Sequence, residues 1–219
     1  MSVVPTAGYT LDPAAVETWL TELGLEPLER VDREGVTSWD LVLDGRRRAD
    51  LRITLILDPA FALLSWAHFA PQIGDSFRKS YRQLLRWNDE YPFLKFSLSE
   101  DERLVLAAEV AVTSADADAL GLALARILAV SDRVLARSRP WLRGGAWREA
   151  LEEGETSRGA ALLDRYHDAL GELDVAVPGE DDETETPKRG GFRGLFARRG
   201  HAAPASAVVP ATAPTGTPR

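Results

Sequence analysis

Three histidines, His68, His167 and His201, are the first side chains to weigh, because imidazole is the commonest general base and metal ligand near neutral pH. The patterns around them place them on a strand, a helix and the C-terminal tail. No two have ligand spacing, and no H-E-x-x-H pattern surrounds them. His68 therefore reads as a strand side chain at the sheet surface or edge. The chain has no cysteine, so disulfides, thiolate nucleophiles and cysteine metal sites are excluded. Glu100, Asp101 and Glu102 crowd one short stretch. Such a cluster can lift a carboxyl pKa for acid–base work, but between two apolar runs it reads as a solvated hairpin turn. There is no G-x-S-x-G, no G-x-x-x-x-G-K-[ST] and no G-x-G-x-x-G. Gly190-Gly-Phe-Arg-Gly194 resembles a glycine loop in composition alone. It follows an acidic linker rather than a strand, so no helix N-terminus is aimed at a phosphate. No catalytic, cofactor-binding or metal-ligating residue is expected, and no cofactor.

Two basic features could bind rather than react. Arg78, Arg82 and Arg86 are spaced by four, with Lys79 beside them. Like charges at that spacing weaken a helix slightly, so the stripe is either a solvated face or a partner contact. The second is the tail motif Lys188, Arg189, Phe192, Arg193, Phe196, Arg198 and Arg199, cations interleaved with aromatic residues. A peptide of this kind suits acidic proteins, RNA or anionic membranes, or is a linker with no role.

The elements that would position these residues follow from period. Asp12-Pro13 opens a helix, Asp12 as N-cap and Pro13 at the first helical position, with Val16, Trp19, Leu20 and Leu23 on one face and Gly24 as the stop. Ser38 to Asp44 alternates, with Trp39, Leu41 and Leu43 on one side and Asp40 and Asp44 on the other. Leu51 to Leu57 is a second strand, linked by the Gly45–Arg48 hairpin, and Phe61 to Phe69 a third, closed by Pro71 and Gly74. A helix from about Ser76 to Tyr91 has a Tyr81/Leu85 core face and stops before Pro92. Phe93–Leu98 and Leu104–Val110 form an antiparallel pair. A long helix starts near Ser114, buries Leu120, Leu124, Ile127, Leu128, Val134 and Leu135, and ends at Pro140. A last helix runs from about Arg158 to Leu173. The expected fold is α+β: an antiparallel sheet of about five strands with helices packed on it.

The 219 residues are 45% hydrophobic and 27% charged, enough for one folded domain and a segment that does not fold. Residues 1–140 read as the α+β domain, 141–177 as a helical extension packed on it, and 178–219 as a disordered Pro/Ala-rich tail. That tail holds six cations and five carboxylates, a net +1, so with the chain at −8 residues 1–177 carry −9. An acidic body argues against non-specific nucleic-acid binding and against anionic lipid. The N-terminus lacks a basic, apolar leader and no window has 18 uninterrupted apolar residues, so the expected location is cytoplasmic.

Leu84-Leu-Arg-Trp-Asn88, followed by Phe93-Leu-Lys-Phe-Ser-Leu98, Leu104-Val-Leu-Ala-Ala-Glu-Val110 and the helix after Ser114, resembles the bacterial YbjN family, over roughly residues 10–140. The turn Ser99–Glu102 departs from that family's usual Asp-Gly type. The resemblance implies a type III secretion chaperone-like fold and a small non-enzymatic, often dimeric, chaperone-like or regulatory adapter. It carries over no catalytic residue.

The expected partner is therefore a protein client, with a homodimer also expected. The alternatives are tail-mediated binding to nucleic acid or anionic membrane, or an enzyme of unrecognised type. In the third strand, apolar residues point both ways: Phe61, Leu63 and Phe69 to one side, Leu64 and Trp66 to the other. One helix layer covers one face. The face carrying Trp66 must then meet the last helix, a second subunit or a client, with Trp66 the preferred contact there; Phe61, Leu64 and Trp66 are the strand's candidate protein-binding residues.

Overall fold

The computed structural model describes residues 10–59, 61–72, 78–142, 151 and 155–174. All of these lie in the first of two compact units, Met1–Pro178. The tail motif, Phe77, Gly74 and Trp147 fall outside the described residues, as do the side chains of Arg78, Pro71 and Trp141.

Helix α1 spans Pro13–Glu22, with the Asp12 carboxylate accepting from the Ala14 N–H, and Gly24 follows at φ +68°. Strands β1 (Glu29–Arg33), β2 (Val36–Leu43), β3 (Leu51–Asp58) and β4 (Ala62–Gln72) come next. Then follow α2 (Arg78–Glu90), β5 (Lys95–Leu98), β6 (Arg103–Ala111) and α3 (Ala117–Leu142). The strands form one antiparallel sheet in the order β1-β2-β3-β4-β6-β5. The fold is therefore α+β with six strands rather than about five. The added strand, β1, is a charged edge strand with no apolar alternation. It is turned into β2 by Glu34 and Gly35, both at positive φ, as a two-residue hairpin loop requires.

Each strand sends one set of side chains inward: Trp39, Leu41 and Leu43; Leu51, Ile53, Leu55 and Leu57; Leu63, Ala67 and Phe69; Leu104, Leu106 and Ala108. These share a core with Val16 and Leu20 of α1, Leu84 and Trp87 of α2, and Leu120, Leu124, Ile127 and Leu128 of α3. Near the end of β4 the pairing with β6 slips twice, around Phe69 and Pro71. A proline is tolerated there because a bulge residue owes no N–H to the ladder. The strand thus runs through Pro71 instead of ending at it.

Three expectations about the helices need correction. The core face of α2 is Tyr81, Leu84, Trp87 and the following Tyr91; Leu85 is 68% exposed and shares the polar face with Arg82 and Arg86. Helix α3 continues to Leu142, so Pro140 costs one backbone bond in the last turn without stopping the helix. The last helix is two short ones, α4 (Ala160–Arg165) and α5 (His167–Leu170), then a 3₁₀ turn at Gly171–Asp174. Arg158 lies ahead of α4 because its backbone and side chain both bind Asp44.

Asp44 was expected to point to the solvent side of β2. It lies just past the strand and is fully buried. Its carboxylate accepts from the Asp50 N–H at 2.8 Å, the Arg158 N–H at 3.0 Å, Arg158 Nε at 2.8 Å and Arg158 Nη2 at 2.7 Å. The Arg158 hydrogen bonds lead in holding its pKa down, to about 2, against the cost of burial. Gly159 sits so close that a Cβ there would lie 2.1 Å from the Asp44 carbonyl. A second carboxylate, Asp132 of α3, is buried and accepts from three consecutive N–H groups, Arg46 (2.6 Å), Arg47 (3.0 Å) and Arg48 (3.0 Å). Three successive amides form an anion-binding nest. Burial still raises the Asp132 pKa, the nest opposing it. The β2–β3 loop is thus fastened to α3 by its backbone and to the C-terminal segment by Asp44.

Candidate protein-binding surface

The helices pack on the inner face. Trp87 of α2 meets Phe96, which stacks edge-on against Phe69, and α3 lies over β4 and β6. The C-terminal pieces dock on α3: a Cβ at Gly121 would lie 2.3 Å from the Tyr166 hydroxyl, which donates to Asp118 at 3.0 Å. Burial, then that hydrogen bond, pushes the Tyr166 pKa up to about 12. Leu163, Tyr166 and Leu170 are therefore spent on the inner core, and the last helix does not cover Trp66.

The outer face carries the other half of each strand. Trp66 sits opposite Thr54 on β3 and Ala107 on β6; Leu64 sits opposite Ile56 and Glu109. Ile56, Leu64 and Trp66 are half-buried and belong to no part of the core cluster; Val105, also outward-facing and outside that cluster, is fully buried. The Trp66 indole N–H is shielded and finds no acceptor among the described residues. His68 is exposed on this face, its Nε2 3.3 Å from Thr54 Oγ1, which also donates to Asp40 at 2.7 Å. Phe61 differs from expectation: it precedes β4 in the turn after β3 and is 75% exposed instead of facing inward with Leu63 and Phe69, because the strand begins only at Ala62.

An open sheet must guard its edges. β1 does so with charge, Arg30 bonding Glu17 and Asp32. β5 is closed differently. The Asn88 side chain accepts from the Phe96 N–H at 2.6 Å and donates to the Phe96 carbonyl at 3.1 Å, taking the place a seventh strand would occupy. The sequence marked Asn88 as part of a family-like pattern; the reason for an amide there is this two-way pairing. Asn88→Leu removes both partners and is expected to cost about 2 kcal/mol in urea unfolding. It should also speed exchange of the Phe96 amide, whereas an unchanged midpoint and protection would show that the plug contributes nothing.

Arg82 and Arg86 are exposed and form no ion pair among the described residues; Leu85 lies between them. Arg78 begins the same helix. The structure does not bring this stripe together with Trp66. Among the described residues no group of three or more His, Asp or Glu side chains could hold a metal, and no helix is long and apolar enough to cross a membrane.

Residues 12–143, more than half of the chain, match a family model described as "Putative bacterial sensory transduction regulator". The chain belongs to the YbjN family. The match takes in the whole sheet and all of α3. The Arg158 clamp and helices α4 and α5 lie beyond the YbjN region. No curated protein matches the chain. The family's description is that of a regulator, which names no partner and no reaction.

Proposed function

We propose that this YbjN protein is a non-enzymatic regulatory adapter of the cytoplasm that binds other proteins, itself included, through the outer face of its sheet. The observation that carries the reading is the apolar band Ile56, Leu64 and Trp66. It lies outside the core cluster, and no described helix is spent on it. Aromatic side chains dominate interface energetics, and half-buried apolar side chains on a sheet face offer further area to a partner. The family's regulatory description agrees with an adapter in the broad sense.

The test is Trp66→Glu, which charges the outer face and leaves the inner core intact. Light scattering at micromolar concentration is expected to show a wild-type homodimer and a folded monomeric variant with native circular dichroism. A wild type that stays monomeric across that range, with the variant indistinguishable from it, would remove self-association through this face. His68→Ala is expected to leave the fold unchanged.

A further inference from the structure

β6 is longer than the strand beside it. β5 pairs with Leu104–Ala107 and begins at Lys95, opposite Ala107, whereas β4 pairs with β6 as far as Ala111. Ala108 to Ala111 therefore have a neighbouring strand on one side only, among the described residues. The alternation of an antiparallel ladder says which groups face the gap. The Val112 N–H bonds the Phe61 carbonyl, on the β4 side; the Arg103 carbonyl takes the Ser99 N–H, on the β5 side. Odd-numbered residues of β6 thus address β5 and the open stretch beyond it. The N–H and carbonyl of Glu109 and the N–H of Ala111 point into the gap, while the Ala111 carbonyl accepts from Ser114 Oγ at 3.2 Å.

The gap opens on a groove of about 550 Å³, whose far wall is α3 through Leu122 and Ala123 and whose end is formed by Phe93. Arg126 stands at that end, its guanidinium carbon 4.1 Å from the centre of the Phe93 ring. The side chain is half-buried, burial lowers its pKa, and no carboxylate opposes that effect. It forms no ion pair among the described residues. Lys95 is a second cation on the groove. The acid on the rim, Glu109, belongs to the outer face opposite Leu64. A cation stacked on an aromatic ring, partly removed from water and unmatched, in a chain of net charge −8, is electrostatically incomplete.

We propose that this groove takes an extended acidic segment of a partner protein as an added strand. The segment's backbone pairs with Glu109 and Ala111, and one of its carboxylates lies on Arg126 against Phe93. The proposal rests on the protein-binding reading above and supplies it with a second site and a ligand chemistry. Backbone pairing at an open edge gives affinity, and a charge-assisted hydrogen bond at its end sets register. A second copy of the chain is a poorer occupant, because edge-to-edge pairing would bring the like-charged Arg126 and Lys95 of both copies into one groove.

The probe is an eight-residue peptide of alternating valine and threonine with one central glutamate, titrated into the full chain and followed by amide chemical shifts. Saturable shifts are expected at 108–111, with slowed exchange of the Glu109 and Ala111 amides. Replacing the glutamate by glutamine, or Arg126→Gln in the protein, should weaken binding about tenfold. Glu109→Pro should abolish pairing while leaving the β4 ladder whole, because the N–H it removes faces the gap; native circular dichroism checks the fold. Equal binding of the glutamate and glutamine peptides, or shifts confined to the Trp66 face, would overturn the proposal. A dimer that Glu109→Pro dissociates would overturn it too, by showing a second copy on the edge. If no peptide binds but association still depends on Trp66, the groove proposal alone fails. If peptide binds at 108–111 and Trp66→Glu changes nothing, the outer-face reading alone fails.

Discussion

Leu128→Asp is expected to leave no folded protein. Leu128 is fully buried in the middle of α3, and its side chain closes on Gly159, where a Cβ would meet it at 2.8 Å. The contact joins α3 to the C-terminal segment. Removing the leucine forfeits about 2–3 kcal/mol of burial. A carboxylate in that space has no donor, and an uncompensated buried charge costs several kcal/mol more. It would also stand one helical turn from Asp132, already buried with its pKa raised, so the two like charges add to each other's cost. The sum reaches the whole of a typical domain's stability, about 5–15 kcal/mol. Leu128→Ala, which removes volume without charge, should stay folded and lose about 2–5 kcal/mol. Circular dichroism with thermal melting separates the two. A cooperative transition for Leu128→Asp within a few degrees of wild type would show that the site opens to water.

The alternation that buries Leu51, Ile53, Leu55 and Leu57 was legible because a strand with one wet face writes its period into the chain. The double-sided pattern of β4 was legible for the same reason, and it pointed to Leu64 and Trp66 on an outer face. What escaped the sequence was decided elsewhere in the chain. β1 is Glu-Arg-Val-Asp-Arg, and its single half-buried residue leaves no hydrophobic period to read. The one local sign was Glu34-Gly35 ahead of an apolar strand. Choosing Leu84 over Leu85 for the core of α2 required knowing that Trp87 is inside, since both leucines fit a helical period with Tyr81. Asp132 stands in the apolar stripe of α3 as a lone acid, a sign of a paired buried group, but its partners are three amides more than 80 residues away. The open stretch of β6 is a difference in length between two strands, so it exists only once their register is known.

The same distance in sequence hid the Asp44–Arg158 clamp, and breaking it should give the second largest effect. Arg158→Ala takes two of the four donors, the charged pair Nε and Nη2, from a carboxylate with no exposed surface, leaving the Asp50 N–H and the backbone N–H of residue 158. Removing one partner of such a pair costs about 3–5 kcal/mol. The loss should appear first as undocking of α4 and α5, read as lost exchange protection at Leu162, Leu163 and Leu170 while the amides of β3 and β4 stay protected. The sign of the pH dependence follows from the depressed Asp44 pKa, about 2 in the folded chain against 3.8 for the free side chain. A carboxyl held down in the folded state stabilises fully above its unfolded value, and that contribution, about 2 kcal/mol, is lost as pH falls toward 2. Asp132 has the opposite sign: its raised pKa favours the folded state on the acid side and loses that contribution as pH rises through the raised value. Urea unfolding between neutral pH and about pH 2.5 should therefore show wild type losing stability on the acid limb, and Arg158→Ala losing less of it, because its Asp44 has no guanidinium to hold the pKa down. Parallel limbs for the two proteins, or equal protection of α4 and α5 in both, would mean that the apolar contacts of Leu162, Leu163 and Leu170 with α3 hold the segment in place without the clamp.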